Sequence, residues 1–333
     1  MIPLQLTIVI AHLVALLLVL PGGAPVVAVD ATARRAAVKI GALTNGWGPT
    51  PAMLGLRDGL VALGYQEGSH FVIGVRFTQG DLGALPSAAR ELVAAVPDII
   101  FASGTSEVKA AHAATTRIPI VFAEAAGDPV KLGLVQSFAR PGGNVTGVTD
   151  LDLELNPKRL EVFKQMIPTL RRVMFVYDAA DEHSRLRMRT YRDAARQLAL
   201  TLVERPVRTS EEAQASLTQV RKDDVDGIVA TASMSLNIPG LVLEATGQRQ
   251  IPTMFNAAFW VERGALAGYG PDFYESGRQV ARLVDKILKG ESPASIPVEA
   301  NPRVELAVNL KVANALRLRI SPIALQRADR IIE

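Results

Sequence analysis

The chain has 333 residues, with 36 Lys and Arg scattered among 33 Asp and Glu for a net charge of +3, and no helix-turn-helix, zinc or basic-helix pattern accompanies that mild charge, which argues against a nucleic-acid partner. It contains no cysteine, which excludes disulfides, thiolate metal sites, cysteine nucleophiles and a lipid-modified cysteine anchor. Its length exceeds what one hydrophobic core fills, and 26 Gly and 20 Pro beside only 5% aromatics fit two α/β domains with many tight turns.

The chain opens with an apolar run from Ile8 to Leu20, stopped by Pro21-Gly22-Gly23 and followed by small residues through Ala33. This predicts a secretory signal peptide over residues 1–33, because the run stops short of the roughly 20 residues that span a bilayer. No Lys or Arg precedes Leu13, and an uncleaved anchor is the competing reading. Next, Val38–Leu43 reads as a buried strand and Thr44–Pro51 as a Gly/Pro loop carrying Trp47. Met53, Leu56, Leu60 and Leu63 recur at helical spacing before Gly64. Phe71–Phe77 is a strand, Ala84–Val96 a helix, and Ile99–Ala102 a strand entering Ser103-Gly104-Thr105-Ser106, after which a helix runs to Thr116. Ile118–Phe122 is a further buried strand, Lys131–Phe138 a short helix-like apolar set, and Val145–Val148 an extended run beyond the turn formers Arg140–Asn144.

The second half repeats this plan. Val173–Tyr177 is a strand, Ser184–Leu200 a helix and Thr201–Pro206 a strand, while Gly227–Ala230 and Ile251–Phe255 echo Ile99–Ala102 and Ile118–Phe122 about 130 residues later. Strands alternating with helices imply parallel sheets, hence two Rossmann-like lobes with a cleft between them. Arg278–Leu288 is an amphipathic helix expected to return to the first lobe, followed by a strand at Val304–Leu310 and a helix at Val312–Leu318. The expected organisation is 36–147 plus 271–301 for lobe 1 and 148–270 plus 302–333 for lobe 2, with crossings near Val148, Gly270 and Pro302 that make a hinge.

Several stretches carry a family resemblance. Asp128-Pro129-Val130, Gly133-Leu134-Val135 and the PGGNVTG run from Pro141 to Gly147 lead it, joined by Gly64-Tyr65, Asp98–Thr105, Ile118–Phe122, Gly264-Ala265-Leu266, Gly277-Arg278, the KILKGESPASIPVE run from Lys286 to Glu299, and Asn309-Leu310-Lys311. Together they resemble the periplasmic substrate-binding proteins of one ABC-importer family, which includes tryptophan- and tyrosine-type binding proteins. The resemblance implies a type I periplasmic binding fold, a small-molecule ligand, a permease and its ATPase as partners, a monomer, and an amino acid or related carboxylate as ligand. It also places the last strand and helix on the second lobe.

No P-loop, GxGxxG, HExxH, GxSxG or kinase-like signature is present, so no catalytic residue, metal or cofactor is expected. His12, His70, His112 and His183 have no ligand-like spacing. The binding candidates stand at strand ends. Ser103, Gly104, Thr105 and Ser106 open a helix whose N–H groups favour an anion, with plain N-capping as the bland alternative. Glu124, Asp128 and Asp272 are candidate acids for a ligand ammonium, although Asp128 precedes Pro129 and can simply cap the short helix that follows. Trp47 and Tyr177 are candidate stacking platforms, and Ser184, Thr231 and Asn256 complete the set in the second half. The turn YDAADEHS at Tyr177–Ser184 departs from the Asn/Pro/Gly-rich turns usual in the family, which leaves the ligand open. A periplasmic sensor subunit and an enzyme on the same scaffold remain the alternatives.

Overall fold

The computed structural model describes residues 36–150, 152–230 and 234–333; the expected signal peptide and Thr231 lie outside the described residues. Residues 36–333 form one compact unit. The elements are β1 (Val38–Thr44), α1 (Pro51–Ala62), β2 (Phe71–Phe77), α2 (Leu85–Ala94), β3 (Ile99–Ser103), α3 (Thr105–Ala114), β4 (Ile120–Ala126) and β5 (Val145–Asp150). Then come α4 (Asn156–Met166), β6 (Arg172–Asp178), α5 (Glu182–Gln197), β7 (Thr201–Val207), α6 (Ser210–Gln219), β8 (Gly227–Val229), α7 (Ile238–Arg249), β9 (Thr253–Phe255), α8 (Ala258–Glu262) and β10 (Ala267–Pro271). The chain closes with α9 (Phe273–Leu288), β11 (Glu299–Ala300), β12 (Val304–Asn309), α10 (Leu310–Ala315), α11 (Pro322–Gln326) and β13 (Arg330–Ile332).

Two sheets result. The first has the order β11-β5-β4-β3-β1-β2 with every pairing parallel, and the second the order β13-β12-β10-β9-β8-β6-β7, parallel except for the β10–β12 pair. Apolar runs such as Ile99–Ser103, buried at every residue, can only sit centrally because helices cover both faces there. One face of the first sheet packs on α1 and α9 through Leu56, Leu60, Val280 and Val284, and the other on α2 and α3 through Leu92 and Val108. The second sheet is covered likewise by α4 and α5 on one side and α6, α7 and α8 on the other. Each fully buried Leu, Val or Phe side chain contributes about 1.5–3 kcal/mol.

Helices α1 and α9 cross at unusually short range because both are Gly at the contact. A Cβ on Gly55 would lie 2.0 Å from the Tyr274 carbonyl oxygen, and one on Gly277 would lie 1.9 Å from that of Ala52. The chain passes between the sheets three times: after β5, between β10 and α9, and between β11 and β12. One local expectation fails. Lys131–Phe138 forms turns, not a helix, because Gly133 sits at φ +71° and the Leu134 amide turns back to bond the Pro129 carbonyl. Among the described residues no helix is long and apolar enough to cross a membrane.

Candidate functional site

Both sheets share one strand order around their first strands, β2-β1-β3-β4-β5 and β7-β6-β8-β9-β10. In such sheets the connections reverse direction between β1 and β3, or β6 and β8, and the gap left at the strands' carboxyl ends holds ligands. A cavity of about 100 Å³ lies at this level, lined from the first sheet's side by Asn45, Ser103, Glu107 and Glu124, from the crossing by Asp150 and Asp152, and from the second by Arg187 and Asn256.

On the first side the polar groups mostly satisfy one another. The Ser103 hydroxyl donates to Glu124 Oε2 at 2.5 Å and lies 2.9 Å from the Thr50 hydroxyl, while the Ala52 amide donates to Glu124 Oε1 at 3.3 Å. Glu124 is held at φ +56° where the β4–β5 register shifts between Phe122 and Ala125. A non-glycine residue in this region costs of order 1–3 kcal/mol, and such strain gathers where a side chain must be aimed. Burial lifts the Glu124 carboxyl above the usual range, against the Ser103 hydroxyl that favours its ionised form. Glu107, in the first turn of α3, is buried and accepts the Asn45 amide at 2.9 Å. Burial pushes its pKa up to about 8, against the backbone N–H groups of Asn45 and of Glu107 itself. The start of α3 therefore already holds a carboxyl group, the protein's own.

The crossing is different. Asp152 accepts Arg159 at 2.5 Å, Arg187, and the Asn256 side-chain amide at 2.8 Å. Burial opposes its ionisation, but Arg187 and Arg159 outweigh that and hold the carboxyl below the usual range. Arg159 is fully buried and donates further to Asn156, to the Tyr191 hydroxyl at 2.9 Å and to the Tyr269 carbonyl at 2.7 Å, so it is spent on structure. Arg187 makes one hydrogen bond among the described residues, through Nη1 to Asp152, which leaves Nε and Nη2 able to donate. Asp150, 3% exposed, accepts the Asp152 amide at 3.0 Å through Oδ1, while its Oδ2 has no partner among the described residues; neither has Asn256 Oδ1, on a residue 1% exposed. Burial, then the Asp152 charge, pushes the Asp150 pKa up to about 7. Two buried acceptors without donors each cost about 1–3 kcal/mol, and both line the cavity.

A second hollow of about 420 Å³ adjoins the first through shared Thr50, Glu124, Met234 and Phe273, and its walls include Trp47, Pro51, Phe259 and Trp260. Trp47 is 55% exposed, and Trp260 stacks on Phe255 at 5.3 Å between centroids. The combined space has one charged end and one aromatic end. A third hollow of about 810 Å³, lined in part by Lys109 and Arg208, adjoins the polar cavity through shared Ser106 and Asp181.

Of the residues singled out in the sequence, Ser103, Gly104, Thr105, Ser106, Glu124 and Asn256 all line the polar cavity, and Trp47 lines its apolar neighbour. The others stand apart. Asp128 caps its own turn, accepting the Val130 amide at 2.9 Å. Asp272 caps α9 through the Glu275 amide and pairs with Arg303 at 3.3 Å, and Tyr177 is buried in the core, stacked on Phe175. The Ser184 hydroxyl donates to Asp181 at 2.7 Å within the α5 cap. Sequence reasoning missed Glu107, Asp150, Asp152 and Arg187. The available signal was the Asp150-x-Asp152 pair at the end of a fully buried strand, at the edge where the chain leaves the first lobe. Among the described residues no group of His, Asp and Glu is arranged to hold a metal ion.

Comparison with known proteins adds an independent line. Residues 38–332 match the family model described as ABC transporter substrate binding protein. The chain is 31% identical over 257 residues to a tyrosine-binding protein of Clostridioides difficile (strain R20291), covering 77% of this chain and 73% of that one. It superposes on a conserved domain protein from Vibrio cholerae with a TM-score of 0.78 and 29% identity, covering 89% of this chain and 99% of that one. It also superposes on an ABC domain from Streptococcus pneumonia in complex with L-Trp, with a TM-score of 0.77 and 25% identity, covering 89% and 100%. Fold, cleft and family model agree, and the chain belongs to the ABC transporter substrate binding protein family.

Proposed function

We propose that this protein is the periplasmic solute-binding component of an ABC importer, capturing a zwitterionic amino acid with an aromatic or large apolar side chain. In this reading the lobes, 36–147 with 271–301 and 148–270 with 302–333, close on the ligand as a monomer that then meets a permease and its ATPase. It binds and does not catalyse. One observation carries the ligand class: a single cavity contains two buried acceptors that have no donor among the described residues, Asp150 Oδ2 and Asn256 Oδ1, beside an arginine with donors to spare, Arg187. An ammonium group satisfies the acceptors, and a carboxylate takes the free edge of the guanidinium. Glu124, which lines both hollows, adds a charge for the ammonium at the neck, and the side chain enters the aromatic hollow beside Trp47. The carboxylate goes to Arg187 and not to the start of α3, because the Glu107 carboxyl already lies there, bonded to the Asn45 amide and to its own N–H. The relatives named for tyrosine and solved with L-Trp support an amino acid of this kind.

A calorimetric panel tests this. L-Tryptophan and L-tyrosine should bind, while tryptamine, which lacks the carboxylate, and indole-3-propionate, which lacks the amine, should each lose roughly 1.5–3 kcal/mol, about 10- to 150-fold. Equal binding of the amine-free acid, or binding of uncharged sugars alone, would overturn the assignment.

A further inference from the structure

Away from the ligand cavity and the crossing strands, the two lobes touch through backbone. The loop after β2 carries Gly80, whose carbonyl accepts the Leu236 amide at 3.2 Å from the segment that follows β8 in the other sheet. Among the described residues no other backbone hydrogen bond joins the lobes outside the crossings. The fit depends on the missing side chain: Gly80 stands at φ +87°, and a Cβ there would lie 2.8 Å from the Met234 carbonyl oxygen and 3.3 Å from the Asn237 nitrogen.

Both sides of this contact are held in place by their own lobes. On the first, the Thr78, Gln79 and Gly80 amides bond the Thr44, Gly46 and Asn45 carbonyls, so the loop lies directly on the segment whose Asn45 amide binds Glu107. On the second, the Ser235 hydroxyl donates to Asp178 at 2.5 Å, and the Asn237 amide closes on the Met234 carbonyl at 2.9 Å. Three side-chain-bearing residues at the contact, Gln79, Leu236 and Asn237, are each left-handed at φ +53°. For Leu and Gln that conformation is unfavourable, so a surrounding structure must hold it. Met234 connects the contact to the site, since it lines both the polar and the apolar hollow. Among the described residues the Lys109–Glu182 ion pair at 3.9 Å also spans the cleft, but it is exposed and of little worth.

We propose that Gly80 and the Met234–Asn237 loop form a backbone latch that holds the lobes closed independently of what the cavity contains. Gly80 is the residue that makes it possible, because any side chain there meets the opposite lobe. The latch sets how long a closed state lasts, while the cavity sets which ligand it closes on.

Amide hydrogen exchange on the ligand-free protein tests this without reference to any ligand, so its failure is distinct from failure of the amino-acid reading. The Leu236 amide of the wild type should be protected. In Gly80→Ala it should exchange about 5- to 30-fold faster, the fold-change equivalent to one left-handed residue with a Cβ. The Ala230 amide, bonded to the Met254 carbonyl within the second sheet, should keep its rate. Asn tolerates a left-handed backbone, so Gly80→Asn leaves the loop of the first lobe intact while still presenting a Cβ to Met234. It should accelerate Leu236 as well, and it answers the question if the Ala variant does not fold. An unprotected Leu236 amide in the wild type, or one whose rate is the same in wild type and Gly80→Asn, would overturn the latch.

Discussion

The start of α3 and the end of β5 face the same small cavity, yet they solve their polar problem in opposite ways. At α3 the protein supplies its own carboxyl group: Glu107 is buried, accepts the Asn45 amide, and is kept neutral to about pH 8 by desolvation. At β5, Asp150 and Asn256 keep buried acceptors that nothing in the described protein satisfies, and Arg187 keeps donors. A helix start is a generic anion seat, and such seats are readily filled from within. Groups left unsatisfied at a cost of stability are the better pointer to where a ligand belongs, since natural proteins accept that cost mainly where function requires it.

The largest break in this comparison should come from Arg159. Replacing it with Met leaves Asp152 with one cation instead of two in a buried site, and urea denaturation should show a loss of about 3–5 kcal/mol. Asp150→Ala should separate two readouts. Affinity for L-tryptophan should fall about 10- to 150-fold, while the stability of the ligand-free protein changes by less than about 1–3 kcal/mol, because removing an acceptor without a donor offsets the lost bond from the Asp152 amide. A variant that lost stability and kept affinity would place Asp150 among structural residues.

Glu107 sharpens the other side through pH. Its carboxyl ionises near 4.5 in the unfolded chain but only at about 8 in the folded one. Between those values the unfolded state releases a proton that the folded state keeps, so stability declines by about 1.4 kcal/mol per pH unit from this group as pH rises. Glu107→Gln should change stability by less than about 1 kcal/mol at pH 5 and flatten the decline between pH 5 and 8. Asp150, pushed up to about 7, adds a decline of the same sign that ends lower. For binding the sign reverses: an ammonium favours ionised Asp150, so affinity should rise as pH climbs from 6 through 7, with proton release seen by calorimetry in buffers of different ionisation enthalpy. Trp47→Ala should have the smallest effect. With 55% of Trp47 exposed, stability should hold, and affinity for an aromatic amino acid should fall only about 2- to 10-fold, the range for one lost aromatic contact.

Much of this molecule was determined by sequence alone. Buried strands announce themselves by short β-branched runs, as Ile99–Ser103 and Val145–Asp150 do, and strands alternating with amphipathic helices leave parallel sheets as the economical arrangement. The same local logic brought Ser103–Ser106 and Glu124 to the carboxyl edge of the first sheet and Asn256 to that of the second, because residues following parallel strands must gather there. It could not separate Glu124 from Asp128, four residues on. One is turned into the cavity by a left-handed bulge and the other spends its carboxylate on the Val130 amide, a difference that depends on the register between β4 and β5. Nor could it find the pairing of Asp152 with Arg187, 35 residues away, or with Asn256, 104 away. Sequence spacing carries no information on which charges meet across a cleft or which acceptor goes unsatisfied. Those outcomes follow from desolvation and long-range contact, and they exist only once both lobes have folded against the crossing strands.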